Sequence, residues 1–124
     1  MKTEPLTIAK IITKDAVIIN HDPPTKDITL QLEITRKFEK ASPGFKTFLS
    51  VSVYKESEKE IEDKSFLVKY ALEAHFSNVH TDLSIENLQN SASIMLFPYI
   101  RAGISAFMGA AGLEPIQLPL YSID

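Results

Sequence analysis

One apolar segment, residues 91–113, most constrains what this chain can fold into. It carries a single charged side chain, Arg101, in 23 residues. A segment of this kind is a membrane span, the core of a small domain, or a surface that another chain covers. A span would place Arg101 near the middle of the bilayer, at a cost of about 2.5–3.5 kcal/mol on an insertion scale. We therefore favour a buried helix over a transmembrane one.

From Met95 onward the apolar segment has the spacing of a helix. Ser84 is a plausible N-cap for a short turn before it, Pro98 is expected in the first turn or at a kink, and Gly112 suits the C-terminal cap. A helix that is apolar on most sides must be buried on most sides, so a second subunit is the natural cover for what one sheet leaves open. The large apolar residues are Phe97, Ile100, Ile104, Phe107 and Met108, and the opposite side carries Ala102, Gly103, Ala106, Gly109 and Ala110.

The first 80 residues have the pattern of four β-strands. Residues 27–36 alternate clearly, with Ile28, Leu30, Leu32 and Ile34 on one face, as in a half-buried strand. Residues 6–20, 45–55 and 65–76 have similar patterns, and the short connections between them indicate an antiparallel sheet. The sequence predicts one α+β domain over residues 1–124, with a sheet in 1–80, a helical region in 81–113 and an extended tail in 114–124.

The composition narrows the classes of function. The net charge is −3, which argues against nucleic acid as the partner. The chain contains no cysteine, so disulfides and thiolate chemistry are excluded. The first ten residues lack the apolar run of a signal peptide. We therefore expect a cytoplasmic protein.

No motif for catalysis, a cofactor or a metal stands out. Residues 103–107 nearly match a nucleophile elbow, but Phe107 occupies the place of the second glycine. His75, His80 and Asp82 invite a metal site, yet histidines five residues apart share neither a helix face nor a strand face. A glycine-rich phosphate loop is also missing from the sequence. We expect neither an enzyme nor a bound cofactor or metal.

Several stretches of the chain resemble the SecB family of protein-export chaperones. The most specific are LFPYIRAGI from Leu96 and PIQLPL from Pro115. Weaker matches are ITKD from Ile12, ITLQL from Ile28 and SFLV from Ser65. Together they extend the resemblance over most of the sequence.

The resemblance implies a four-stranded antiparallel sheet followed by a long helix, assembled as a dimer of dimers with helices between sheets. It also implies a function, since family members hold unfolded polypeptides without ATP and deliver them to the secretion machinery. Some relatives instead guard an unstable antitoxin.

The family positions also imply site residues. The client would lie along an apolar groove, for which plain core is the alternative interpretation. The groove residues are Ile28, Leu30, Leu32, Phe76 and Phe97, and the oligomer contacts are Val68, Tyr70, Leu72 and Phe107.

The family's acidic docking site for the SecA translocase ATPase is only partly present. Asp15 and Leu67 match it, but Ile19 and Lys69 fall where the family has carboxylates. The sequence also has no match to the family's second helix and C-terminal tail. We therefore expect binding to the translocase ATPase to be weak or absent, unless a shifted alignment makes Glu33 or Glu73 part of the patch.

The sequence thus predicts an ATP-independent holdase that binds unfolded polypeptides, forms a homotetramer and serves protein transport. The alternative is a dedicated interaction module that binds one partner, such as an antitoxin. Suppression of aggregation across unrelated clients would favour the first, and binding of one partner only would favour the second.

Overall fold

A computed structural model describes residues 6–25, 27–41, 44–77 and 84–114 of the protein. Within them, four strands form one antiparallel sheet in the order β1-β4-β3-β2, and one helix follows. The predicted four-stranded antiparallel sheet with a C-terminal helix is confirmed. The elements are β1 (Ile8–Asn20), β2 (Leu30–Ala41), β3 (Gly44–Lys55), a short 3-10 turn (Glu56–Glu58), β4 (Phe66–Phe76) and α1 (Ile85–Ala110).

β2 lies further along the chain than the sequence predicted. It begins at Leu30, so Ile28 precedes the strand, and it continues to Ala41 rather than ending at Arg36. The extension follows the pairing with β3, which runs unbroken to the Ala41–Gly44 pair. The predicted alternation holds, because Leu30, Leu32 and Ile34 are half-buried on the face that carries the helix.

The helix begins ten residues before the predicted Met95. Ser84 is its N-cap, and the Ser84 hydroxyl accepts a hydrogen bond from the Asn87 backbone N–H at 3.1 Å. The first turns contribute buried Leu88 and Ala92, so they belong to one continuous helix rather than to a separate turn. Pro98 consequently lies near the middle of α1, on its exposed side, and not in the first turn.

α1 ends at Ala110, and Gly112 forms part of its C-terminal cap, as the sequence predicted. Gly112 has a positive φ of 77°, which glycine adopts without steric cost. The Leu113 N–H donates to the Met108 carbonyl at 2.9 Å, and the Gly112 N–H donates to the Gly109 carbonyl at 3.0 Å. These two bonds form a Schellman motif, and Leu113 packs against the core beyond it.

One side of α1 packs diagonally across the sheet. Near its N-terminus the Arg36 Nη1 on β2 donates to the Asn90 Oδ1 at 2.5 Å, and near its C-terminus Met108 lies beside Phe66 and Asn20 on β4 and β1. By length and composition α1 is apolar enough to cross a membrane. Its fully buried side chains nevertheless share one side, facing the sheet: Leu88, Ala92, Ser93, Leu96, Phe97, Ile100, Ile104 and Met108.

The small residues of α1 divide between two environments. Ala102, Ala106, Gly109 and Ala110 are exposed, as expected for a thin outward face. Gly103 was predicted on the same face, but it lies against β4. A Cβ atom at that position would come within 2.5 Å of the Tyr70 ring. Gly103 therefore allows α1 to lie close to the sheet of its own chain. It does not serve the close approach of a second subunit, which the sequence predicted for this face.

We expect Gly103→Ala and Gly109→Ala to change stability in opposite directions. Both gain about 0.5–1 kcal/mol of helix propensity. At Gly103 the added methyl group must displace the Tyr70 ring, which should cost more, about 1–3 kcal/mol. A Cβ at Gly109 meets nothing within 4 Å. Urea unfolding of both variants provides the comparison, and equal shifts in the midpoint would contradict this packing.

Candidate functional site

β2 forms a regular free edge of the sheet. Among the described strands it has β3 as its one neighbour, and their pairing contains no register shift. β1 is the opposite edge, but its pairing with β4 shifts register twice, between Ile8 and Lys10 and between Thr13 and Asp15. Such bulges twist an edge and hinder pairing with another chain. β2 is therefore the better edge for accepting a further strand.

Apolar side chains line the helix-bearing side of this free edge. Leu30, Leu32, Ile34 and Phe38 of β2 are half-buried and pack against the core, and we call them the edge row. Just before the strand, Ile28 is 39% exposed. The edge row thus presents a strip of apolar surface beside unpaired backbone groups, which is the arrangement that binds extended peptides.

An aromatic stack anchors one end of the edge row. The ring centroids of Phe38 and Phe45 are 5.0 Å apart, and those of Phe45 and Phe76 are 4.7 Å apart. The three rings cross β2, β3 and β4 on the helix side of the sheet. The half-exposed Phe38 is therefore held in place by two fully buried rings.

A buried lysine paired with an exposed aspartate lies at the other end of the edge row. Lys55 pairs with Leu30 across the strands and is only 6% exposed. Its Nζ donates to the Asp22 Oδ2 at 2.9 Å. Because a buried ammonium group requires a partner, this contact ties the segment after β1 to the end of β3, opposite the start of β2.

A comparison with solved structures identifies this architecture. The Mycobacterium tuberculosis SecB-like chaperone Rv1957, solved in complex with a ChAD peptide from the Rv1956 HigA1 antitoxin, aligns with a TM-score of 0.66. The alignment covers 95% of this chain and 88% of that one, at 18% identity. The chain has a SecB-like fold. No protein-family model and no curated protein sequence matches it.

The SecB-like fold separates the five predicted client-binding residues into two groups. Ile28, Leu30 and Leu32 lie on or beside the accessible edge row. Phe76 and Phe97 are only 3% and 2% exposed, so the single chain buries both in its core. Phe38 was not predicted as a groove residue. It lies four residues after Ile34 on the same face of β2, so the alternation of that strand could have indicated it.

The predicted oligomer contacts divide in a similar way. Val68 and Leu72 are fully buried beneath α1 of the same chain. Tyr70 is half-buried, and its hydroxyl forms a 2.8 Å hydrogen bond with the Thr13 hydroxyl. Phe107 is also half-buried. A role for these four residues between subunits stays a prediction. The surface of α1 that is accessible to a second subunit is its outward face.

The outer face of the sheet, opposite α1, carries the predicted translocase-docking positions. Ile19 pairs with Leu67, and Asp15 and Lys69 lie beside them on β1 and β4. The Lys69 Nζ lies 3.5 Å from the Asp15 Oδ2. The lysine therefore offsets the charge of the carboxylate that matches the family pattern. A docking role for Asp15 and Leu67 stays a prediction.

Two other carboxylates on the outer face are also engaged. Glu33 accepts a hydrogen bond from the Tyr54 hydroxyl at 3.1 Å, and burial together with this bond raises the pKa of Tyr54. Glu73 lies 2.9 Å from the His75 Nε2. The hydrogen bond from His75 is the largest cause and lowers the pKa of Glu73. Burial opposes this effect, and the charges of Lys14, His75 and Lys46 lower the pKa further. Glu73 is buried, whereas Glu33 stays exposed beside its bond to Tyr54.

We expect the lowered pKa of Glu73 to make folding sensitive to acid. A carboxylate with a depressed folded-state pKa stabilises the fold above its ordinary value of 4.5, and this stabilisation is lost as pH falls through the folded-state value. Glu73→Gln should therefore reduce the loss of stability below about pH 4.5. Urea unfolding across pH 3 to 7 measures the effect, and the exposed Glu62→Gln is the control. An unchanged acid profile in Glu73→Gln would contradict the prediction.

Proposed function

We propose that this protein is a chaperone that binds unfolded polypeptide segments along β2 and holds them without ATP. The regular free edge of β2, with its apolar edge row, carries the proposal. The SecB-like fold supports it, as does the peptide seen on the mycobacterial neighbour. An extended client would pair its backbone with β2 and place alternate side chains over the edge row.

Both parts of this binding mode tolerate many client sequences. Backbone hydrogen bonds are available to any extended segment except at proline. Burial of apolar side chains contributes roughly 25 cal/mol per Å² without a directional requirement. This binding mode therefore suits a protein that holds diverse unfolded chains. We place this activity in the cytoplasm, in the service of protein transport. It requires no enzymatic step and no cofactor.

A second candidate is a dedicated interaction module that binds one partner, such as an antitoxin. The observation that favours it is the antitoxin peptide in the complex of the mycobacterial neighbour. The two candidates separate in a direct test. Suppression of aggregation for several unrelated denatured proteins supports the general chaperone, and binding of a single partner with no such suppression supports the module.

We also propose that the protein assembles as a tetramer, built as a dimer of dimers. The outward face of α1 supports this, because exposed Ile94 and Tyr99 stand beside the small residues Ala102 and Ala106. Small side chains allow close approach of a second subunit, whose contact would remove the two large apolar side chains from water.

Client binding should weaken in Ile28→Asp, while folding remains intact. Ile28 is exposed, so the carboxylate stays in water in the free protein, but it would be desolvated under a client. Complete burial of an isoleucine is worth about 1.5–3 kcal/mol, so we expect about a tenfold loss of affinity for a denatured test protein. Leu30→Asp should also weaken holding more than it weakens folding.

The matched control is Ile61→Asp, since Ile61 is 47% exposed on the turn between β3 and β4. It should leave both affinity and melting temperature unchanged. Equal loss of holding in Ile28→Asp and Ile61→Asp would refute the edge-row site. A melted Leu30→Asp variant would show that Leu30 serves the core rather than the client.

Assembly should be disrupted by Ala106→Arg. The substitution places a charge on the outward face of α1, where it stays solvated in a single chain and would be buried between subunits. We expect a lower mass in light scattering at micromolar concentration. Ser57→Arg, on the exposed turn after β3, should keep the mass of the unmodified protein. A wild-type monomer that folds normally would refute the tetramer.

A further inference from the structure

The outer face of the sheet contains a shallow groove that the proposed client site does not use. Its volume is about 290 Å³. The side chains that point to this face come from all four strands, and they form an apolar floor between two cationic ends. These lining residues are Lys14, Thr35, Lys37, Phe48, Ser50 and Ala71.

Lys14 reaches this groove because of a β-bulge. Thr13 pairs with Leu72 and Asp15 pairs with Ala71, so Lys14 is the extra residue between two consecutive pairs. Bulges redirect a side chain and recur beside functional sites. The bulge places the Lys14 side chain at the rim beside Ala71, across the groove from Lys37 on β2.

The two lysines that line the groove lie among other charges of the outer face, and Lys14 is close enough to Glu73 to contribute to lowering its pKa. Asp15 pairs with Lys69, and Glu73 forms a hydrogen bond with His75. Within the described part of the chain, Lys14 and Lys37 form no ion pair, and both are exposed. Within the described residues the groove is therefore lined by these two cationic side chains and by no carboxylate, although the whole chain carries a net charge of −3.

We infer that this groove docks an acidic polypeptide segment that has an apolar side chain between its carboxylates. The apolar side chain would lie on Phe48 and Ala71, and the carboxylates would pair with Lys14 and Lys37. Such a rim attracts an acidic partner and speeds their encounter. A single-stranded nucleic acid fits less well, because two lysines beside Glu73 supply few phosphate contacts.

The test measures binding of a fluorescent peptide in which leucines are separated by aspartates, at low and at moderate salt. We expect binding that weakens as salt rises, and about a tenfold loss in Lys14→Glu with Lys37→Glu, since two exposed ion pairs are replaced by repulsion. Ala71→Leu, which fills the floor, should weaken binding as well. The matched control is Lys40→Glu with Lys59→Glu, which makes the same change in net charge away from the groove.

Three further probes make the inference falsifiable. A peptide with serines in place of the leucines should bind more weakly, and a peptide with lysines in place of the aspartates should not bind. Tighter binding of the lysine peptide or of oligo-deoxythymidine than of the acidic peptide would overturn the inference. Equal losses in the groove variant and its charge-matched control would overturn it too. The groove variant should hold denatured clients normally, so this result is independent of the edge-row site.

Discussion

The structure depends on one mismatch of shape: a single helix covers a sheet that is wider than itself. Four strands at about 4.8 Å spacing separate the outer strand axes by about 14 Å, whereas a helix with its side chains is about 10 Å wide. Because α1 crosses diagonally from Asn90 over β2 to Met108 beside β1, it buries the helix side of the central strands except at the half-buried Tyr70. The helix side of the edge strands is left half-buried, and this is why an apolar strip remains at β2.

The two edge strands differ in the regularity of their backbone pairing, and this decides which of them can accept a further strand. β1 carries two register shifts, and one of them turns Lys14 out toward the opposite face. β2 keeps a continuous ladder with β3 and leaves its other side unpaired among the described strands. A long regular edge is a hazard for aggregation unless something covers it. In a protein that binds unfolded chains, the same feature becomes the binding surface.

Periodicity predicted which residues share a face, but it gave no measure of how much of that face the helix covers. Phe76 has the alternation of a groove-lining residue, yet the ring stacks on Phe45 inside the core. Gly103 has the small size of an intersubunit contact, yet it makes room for Tyr70. The early helix start was missed because Glu86 and Asn90 make the first turns polar, and the apolar signal there rests on Leu88 and Ala92. The outcomes at Phe76 and Gly103 depend on tertiary packing, which periodicity along the sequence does not report.

The outer face carries an ion pair that sets its local charge. The family resemblance implies docking through negative charge at this face, and a carboxylate is retained at Asp15. Lys69 falls where the resemblance implies a second carboxylate, and it lies 3.5 Å from Asp15, so it offsets the charge of that neighbour. Solvent screens this exposed pair, and its contribution to stability is small. Its main consequence is for recognition, because the local potential decides which sign of partner is attracted.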